Sequence, residues 1–313
     1  MVIYMYNDYG GIPIKSEYKS KLYGNNIKQE NNNKKKKKKK ITKKILNILI
    51  IFFLIITCSG IYMIVEWNKD NINTSKLVDE INKEVEVVEK VDTETTEIIG
   101  APEEEETNEP EVVSDYWYYV RFPLIDVDIS SLKQKNSDTV GWINVNNTNI
   151  NYPYVQTSDN KYYLDHSFNK TYNDAGWVFL DYRNNSNLDN KNTIIYAHSR
   201  LDKTMFGSLS KVFRADWHTN KDNHIIRIST ETENTLWQIF SVYKIAEESY
   251  YITTEFRNDD KYVEFLNTIE GRSIYNFNTS LSANDKILTL STCYDDNIRT
   301  VVHAKLIKRS VKE

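Results

Sequence analysis

The chain has 313 residues, with 40 Lys plus Arg against 44 Asp plus Glu and a formal net charge of −4, a small value that hides a basic N-terminus and an acidic middle. The basic block carries no interleaved aromatics and leads straight into apolar sequence, which does not suit a base-stacking groove and excludes nucleic acid as a partner. There are two cysteines, Cys58 inside an apolar run and Cys293 beyond it, so the folded part has one thiol and no internal disulfide.

In chain order, residues 1–44 read as a basic cytoplasmic tail: polar and without a sustained period up to residue 33, then Lys34 to Lys40 with Lys43 and Lys44. Residues 45–65 are uncharged and apolar, long enough as a helix to span the hydrocarbon core of a bilayer. The lysines precede this run, and Glu66 and Asp70 follow it. The positive-inside rule therefore puts the N-terminus in the cytoplasm and the C-terminal part outside. A cleaved signal peptide is the competing reading, against which stand the very long basic leader and the lack of a small-residue cleavage site.

Residues 66–114 are dominated by Glu, Asp, Thr and Val, with Glu103 to Glu106 between Pro102 and Pro110, and read as an extended acidic extracellular stalk. Within it Leu77, Ile81, Val85 and Val88 fall at helical spacing.

Residues 115–313 form the folded domain. Short β-like runs recur at Val140–Val145, Ile150–Val155, Gly176–Leu180, Thr193–Ala197, His224–Ile228, Trp237–Ile245, Lys286–Ser291 and Thr300–Ile307. Eight short strands point to a mainly β fold, a barrel or a sandwich. Helical stretches are expected at 129–135, 160–164, 203–212 and 259–270. The last has acidic residues in its first turn and apolar Val263, Leu266 and Ile269.

Three residues at strand ends could carry chemistry. Cys293 closes the run KILTLSTC; a thiol is a nucleophile as its thiolate, but taken alone a strand-terminal Cys is more often an inert core residue. Arg299 lies six residues on, either as a donor to an oxyanion or as a surface arginine paired with Asp295 or Asp296. His198 follows another β-like run and is the best-placed base. His303 is its rival, while His166, His218 and His224 sit in loops or at a strand start. Zinc-ligand spacings and Gly-rich phosphate loops are absent from the sequence.

TLSTC at Thr289 to Cys293, followed by RTVVHAKLIKR from Arg299, resembles the nucleophile strand and following arginine strand of class B sortases. The upstream blocks VGWINV, INYPYVQ, DNKYYLDHSF, GWVFLDYRN, NTIIYAHSR and MFGSL occur in that family's order, so the resemblance covers about residues 130–308. Ala197 departs from the family, which more often has glycine before the histidine.

The resemblance implies a closed β-barrel of about eight strands with added helices, the 259–270 helix lying in a long connection that walls the substrate groove. It also implies a cysteine transpeptidase with Cys293 as nucleophile, His198 as acid/base and Arg299 as oxyanion donor, and with Asn160, Leu164, Ser273, Ile274, Tyr275 and Ser291 as substrate contacts. The expected reaction cleaves a secreted protein at a Thr in a C-terminal sorting motif and transfers it to an amine of a peptidoglycan precursor, with no metal or organic cofactor. Three alternatives stay open: a pilin-polymerising sortase, a cysteine peptidase or wall hydrolase, and a non-catalytic adhesive ectodomain.

Overall fold

The structure, a computed structural model, describes residues 16–101, 115–293 and 298–312, with backbone alone for residues 16–25 and for Cys293. It divides into two compact units, Met1–Glu66 and Trp67–Glu313. The acidic run Glu103 to Glu106 lies outside the described residues, as does the 294–297 turn.

Helix α1 runs Ser16–Glu84. In the first unit the lysines from 34 to 44 are exposed on it, and so is every residue from 45 to 65 except Gly60. This helix is long and apolar enough to cross a membrane. Its apolar surface is open on all sides, and a helix satisfies its backbone hydrogen bonds internally, as any membrane-crossing segment must.

The second unit begins with the last turns of α1. These were expected to be solvated stalk, and the structure corrects that: Ile81 is only 3 % exposed and belongs to the main hydrophobic core, with Leu77, Val78 and Val85 packed beside it. Asn71 and Thr74 are buried too, the first accepting from Arg200 Nη2 and the second from Asn173 Nδ2 at 3.1 Å. Apolar residues at helical spacing thus form a docking face, and the surrounding charges lie on the opposite side. Two short strands follow, β1 (Val88–Lys90) and β2 (Thr96–Ile98).

After α2 (Tyr116–Val120), β3 (Leu124–Asp126) and α3 (Ile129–Lys135), the chain builds β4 (Thr139–Val145), β5 (Asn151–Val155), β6 (Phe179–Leu180) and β7 (Asn192–His198). Then come α4 (Ala215–Thr219), β8 (Ile225–Thr230), β9 (Glu233–Ala246), α5 (Asp259–Gly271), β10 (Ile287–Cys293) and β11 (Ile298–Val311). The order β10-β7-β6-β5-β4-β8-β9-β11 closes on itself because β11 also pairs with β10, and β2 adds to the outer edge of β11. The eight expected strands are the eight staves of this closed barrel. Closure removes the open edges that an unbarrelled sheet would leave.

β9 and β11 show why these strands read as near-continuous apolar runs, since both of their faces are covered. Trp237, Ile239, Val242, Val302 and Ala304 join the barrel interior. Phe240, Tyr243 and Val301 instead pack outward against Tyr262, Phe265, Leu266 and Ile269 of α5. Each such fully buried apolar side chain contributes roughly 1.5–3 kcal/mol. Asn258 caps α5, its side-chain oxygen accepting from Lys261 N at 3.0 Å, and Asp259 and Asp260 sit in the first turn where the helix dipole favours them. The expected helix at 160–164 is a single 3₁₀ turn, Tyr162–Leu164, and that at 203–212 is a 3₁₀ segment, Gly207–Phe213.

Candidate active site

Two strand pairings bring the three strand-end residues together. β10 runs parallel to β7 with Cys293 opposite His198, and antiparallel to β11 with Cys293 opposite Arg299. One backbone level of the barrel therefore carries His198, Cys293 and Arg299 on adjacent strands, neighbouring strands lying about 4.8 Å apart. His198 and Arg299 line one cleft of about 390 Å³.

The histidine is held from its far side. Its Nε2 donates to the backbone carbonyl of Leu164 at 2.8 Å, which fixes the tautomer and leaves Nδ1 as the nitrogen with a lone pair. The 3₁₀ turn that presents this carbonyl is braced by Gly176, whose φ of +58° suits glycine. A Cβ there would lie 2.5 Å from the Tyr163 carbonyl oxygen and 2.7 Å from that of Leu164. The next residue, Trp177, donates its N–H to the Tyr163 carbonyl at 2.9 Å.

Arg299 Nη2 donates to Glu247 Oε2 at 2.7 Å, the guanidinium being mostly covered and the glutamate mostly exposed. Glu247 was not singled out in the sequence, and the carboxylates weighed there as partners, Asp295 and Asp296, lie outside the described residues.

His303, the rival base, is removed from the cleft. It is fully buried in the middle of β11, with Nε2 2.8 Å from Tyr243 Oη and Nδ1 2.8 Å from Thr289 Oγ1. Burial, and secondarily the charge of Arg272, lowers its pKa to about 3, and burial first lowers that of His224 to about 4. Both are depressed below the ordinary value of 6.5, so the stability they contribute is complete above pH 6.5 and is lost progressively as pH falls from there to about 4 for His224 and about 3 for His303, the range in which the unfolded chain binds more protons. The unfolding free energy is expected to be lower at pH 4 than at pH 7 by roughly several kcal/mol, read from urea titrations at the two pH values. His303→Gln, which does not titrate there, is expected to flatten that slope by close to one proton.

Of the candidate substrate contacts, Asn160, Leu164 and Ser291 line the cleft with His198 and Arg299. Ser291 is buried, its hydroxyl 3.1 Å from that of Tyr251, and Leu164 is 40 % exposed. Ser273, Ile274 and Tyr275 are not among the residues lining it. The Ser273 hydroxyl accepts from Val242 N at 3.1 Å and donates to Tyr275 O at 2.7 Å, and Tyr275 stacks on His218 with ring centroids 4.2 Å apart. The connection between β9 and β10 does wall the cleft, but through Glu247, Glu248, Ser249, Tyr251 and Ile252 near its start.

The sequence also passed over Asp181. Its carboxylate is fully buried behind the cleft and accepts from Arg183 Nη2 at 2.6 Å and Tyr196 Oη at 2.9 Å. Burial alone would raise its pKa; the hydrogen bonds from Arg183 and Tyr196 outweigh that and hold it below the usual carboxylate range.

A family model described as the sortase domain matches residues 143–307. The chain is 35 % identical over 191 residues to sortase B of Listeria monocytogenes and 36 % identical over 184 residues to sortase B of Staphylococcus aureus. Each match covers 58 % of this chain and 75 % of the relative. Among solved structures, a Bacillus anthracis protein similar to sortase B superposes with a TM-score of 0.54 at 42 % identity, over 57 % of this chain and 82 % of that one. A Staphylococcus aureus sortase B–substrate complex gives 0.54 at 36 % identity, over 57 % and 84 %. A family match over more than half of the chain, with class B relatives covered over most of their length and the same closed barrel, means that the chain belongs to the sortase family and is a class B cysteine transpeptidase.

Proposed function

We propose that the protein is held in a cell membrane by residues 45–65, with residues 1–44 on the cytoplasmic side and the barrel outside, and that it attaches secreted proteins to the cell wall. Its substrates carry a C-terminal sorting motif with a threonine at the cut, and its acceptor is an amine of a peptidoglycan precursor. The observation that carries this reading is the register of His198, Cys293 and Arg299 at one level of three adjacent strands.

In the first step the Cys293 thiolate attacks the threonine carbonyl. The oxyanion of the tetrahedral adduct accepts hydrogen bonds from Arg299, and His198 protonates the departing amine as the C–N bond breaks. In the second step the acceptor amine attacks the thioacyl carbonyl, His198 takes its proton, and the C–S bond breaks to return the thiolate. The Leu164 carbonyl supports this assignment by fixing the tautomer that leaves Nδ1 for proton exchange. Asn160, Leu164 and Ser291 are the contacts assigned to the sorting peptide. One relative was solved with its substrate and another sortase B with triglycine, an occupancy in keeping with a peptide donor and an amine acceptor.

The test is a panel of peptides centred on threonine, with the flanking residues varied, incubated with the enzyme and an amine. Arg299→Lys keeps the charge but not the planar fork, and is expected to lower kcat about 10²–10³-fold with little change in KM. Equal turnover by Arg299→Lys contradicts the role given to the arginine.

A further inference from the structure

We propose that Asp181 is a positioning residue for the peptide substrate, its buried carboxylate holding Asn160, Tyr196 and the 250–252 turn in the geometry that shapes the cleft; the inference rests on the peptide-binding reading of that cleft. Asp181 carries no exposed surface, yet it accepts five hydrogen bonds. Oδ1 takes the backbone N–H and Nε of Arg183, each at 2.9 Å. Oδ2 takes Arg183 Nη2 at 2.6 Å, Tyr196 Oη at 2.9 Å and Asn160 Nδ2 at 3.0 Å.

Each of these partners leads to the cleft. Tyr196 stands on β7 two residues before His198, and both it and Asn160 line the cleft. Arg183 Nη2 also donates to the Ile252 carbonyl at 3.0 Å and so ties the turn Tyr250–Ile252, whose Tyr251 and Ile252 line the cleft, to the same carboxylate.

An ionised carboxylate accepts hydrogen bonds and donates none. That fixes the Asn160 amide with its nitrogen toward Asp181 and its oxygen toward the Tyr182 N–H, from which it accepts at 3.0 Å. One Asn160 N–H is then left over, held in a single orientation for a peptide carbonyl. An asparagine at position 181 would turn an amide N–H₂ toward donors, breaking part of the network without changing the volume of the side chain.

The experiment uses the detergent-solubilised full chain and the peptide that it cleaves fastest in the threonine-centred panel, labelled with fluorescein. Binding is read by anisotropy in the Cys293→Ala background, and kcat and KM in the Cys293 enzyme. Asp181→Asn is expected to raise Kd and KM at least about tenfold while kcat stays within about threefold.

Should Asp181→Asn fail to fold, Asn160→Ala and Tyr196→Phe are measured singly and together. Their effects on Kd are expected to depart from multiplicativity by at least about threefold, since both groups bond to the same Asp181 oxygen. A folded Asp181→Asn with Kd within about twofold of its parent, or in the fallback a multiplicative pair, overturns the positioning role alone. Failure of the unsubstituted enzyme to cleave any peptide overturns the cleft reading and this inference with it.

Discussion

Replacing Cys293 with alanine is expected to lower cleavage of a threonine-centred sorting peptide by about four orders of magnitude or more, while the melting midpoint of the barrel stays within a few degrees. The two halves of this result have separate physical causes. Without the thiolate there is no thioacyl intermediate, and the histidine and arginine that remain cannot substitute for it, because groups that act as one unit lose nearly all of their effect when the nucleophile is removed. The strand has other anchors. β10 is anchored upstream by Ile287, Leu288 and Leu290, each fully buried, and by paired neighbours on both sides through β7 and β11. Peptide turnover and circular dichroism on the two proteins check the prediction together.

The second large effect is on stability. Lys305 in β11 and Asp285 just before β10 form an ion pair at 3.0 Å with side chains 4 % and 3 % exposed. The ammonium also donates to the Ser280 carbonyl at 2.9 Å, and the carboxylate accepts from Ser282 N at 2.6 Å. Gly100, at φ +68°, closes over the pair, and a Cβ there would lie 3.1 Å from both partners. Lys305→Met keeps much of the volume but leaves a buried carboxylate without its cation, an arrangement that costs about 3–5 kcal/mol. Adding Asp285→Asn is expected to recover part of that loss, because the stranded charge is then gone. Urea unfolding of the single and double variants gives both numbers.

The barrel staves were legible because each strand buries apolar residues on the inner face, and many on the outer face as well. The runs 140–145 or 286–291 therefore announced themselves without reference to any partner strand. β1, β2 and β3 were not legible: each has three residues, and Val88 and Ile98 remain exposed, so no alternation marks them. The docking face of α1 was visible as Leu77, Ile81 and Val85 at helical spacing, but the acidic residues around it outweighed it in a reading by composition. Tyr116, Tyr119 and Val120 pack with Leu236 and Ile307, residues more than a hundred positions away, which no local pattern records.

The same distinction governs the site. Strand ends could be read locally, and they yielded His198, Cys293 and Arg299. That β7 lies beside β10, in parallel and in this register, is a non-local fact of the closed barrel. Glu247 and Asp181 were missed for a related reason. A lone acidic residue in a charged sequence carries no signal until the fold sets Glu247 against Arg299 and buries Asp181 beneath Tyr196 and Asn160. Ser273 and Tyr275 stand apart from the cleft: the Ser273 hydroxyl accepts from Val242 N and donates to Tyr275 O, and the Tyr275 hydroxyl donates to Phe213 O.

Intact mass spectrometry of the full chain and its products, after incubation with the threonine-centred peptides in the presence and absence of an amine, separates acyl transfer from hydrolysis. A cysteine transpeptidase is expected to show an acyl adduct on Cys293 when amine is absent, its disappearance when amine is added, and a product whose mass equals the N-terminal fragment joined to that amine, with neither species formed by Cys293→Ala. A product that gains only water even at high amine, or cleavage that survives Cys293→Ala, is incompatible with amine transfer through a Cys293 thioester.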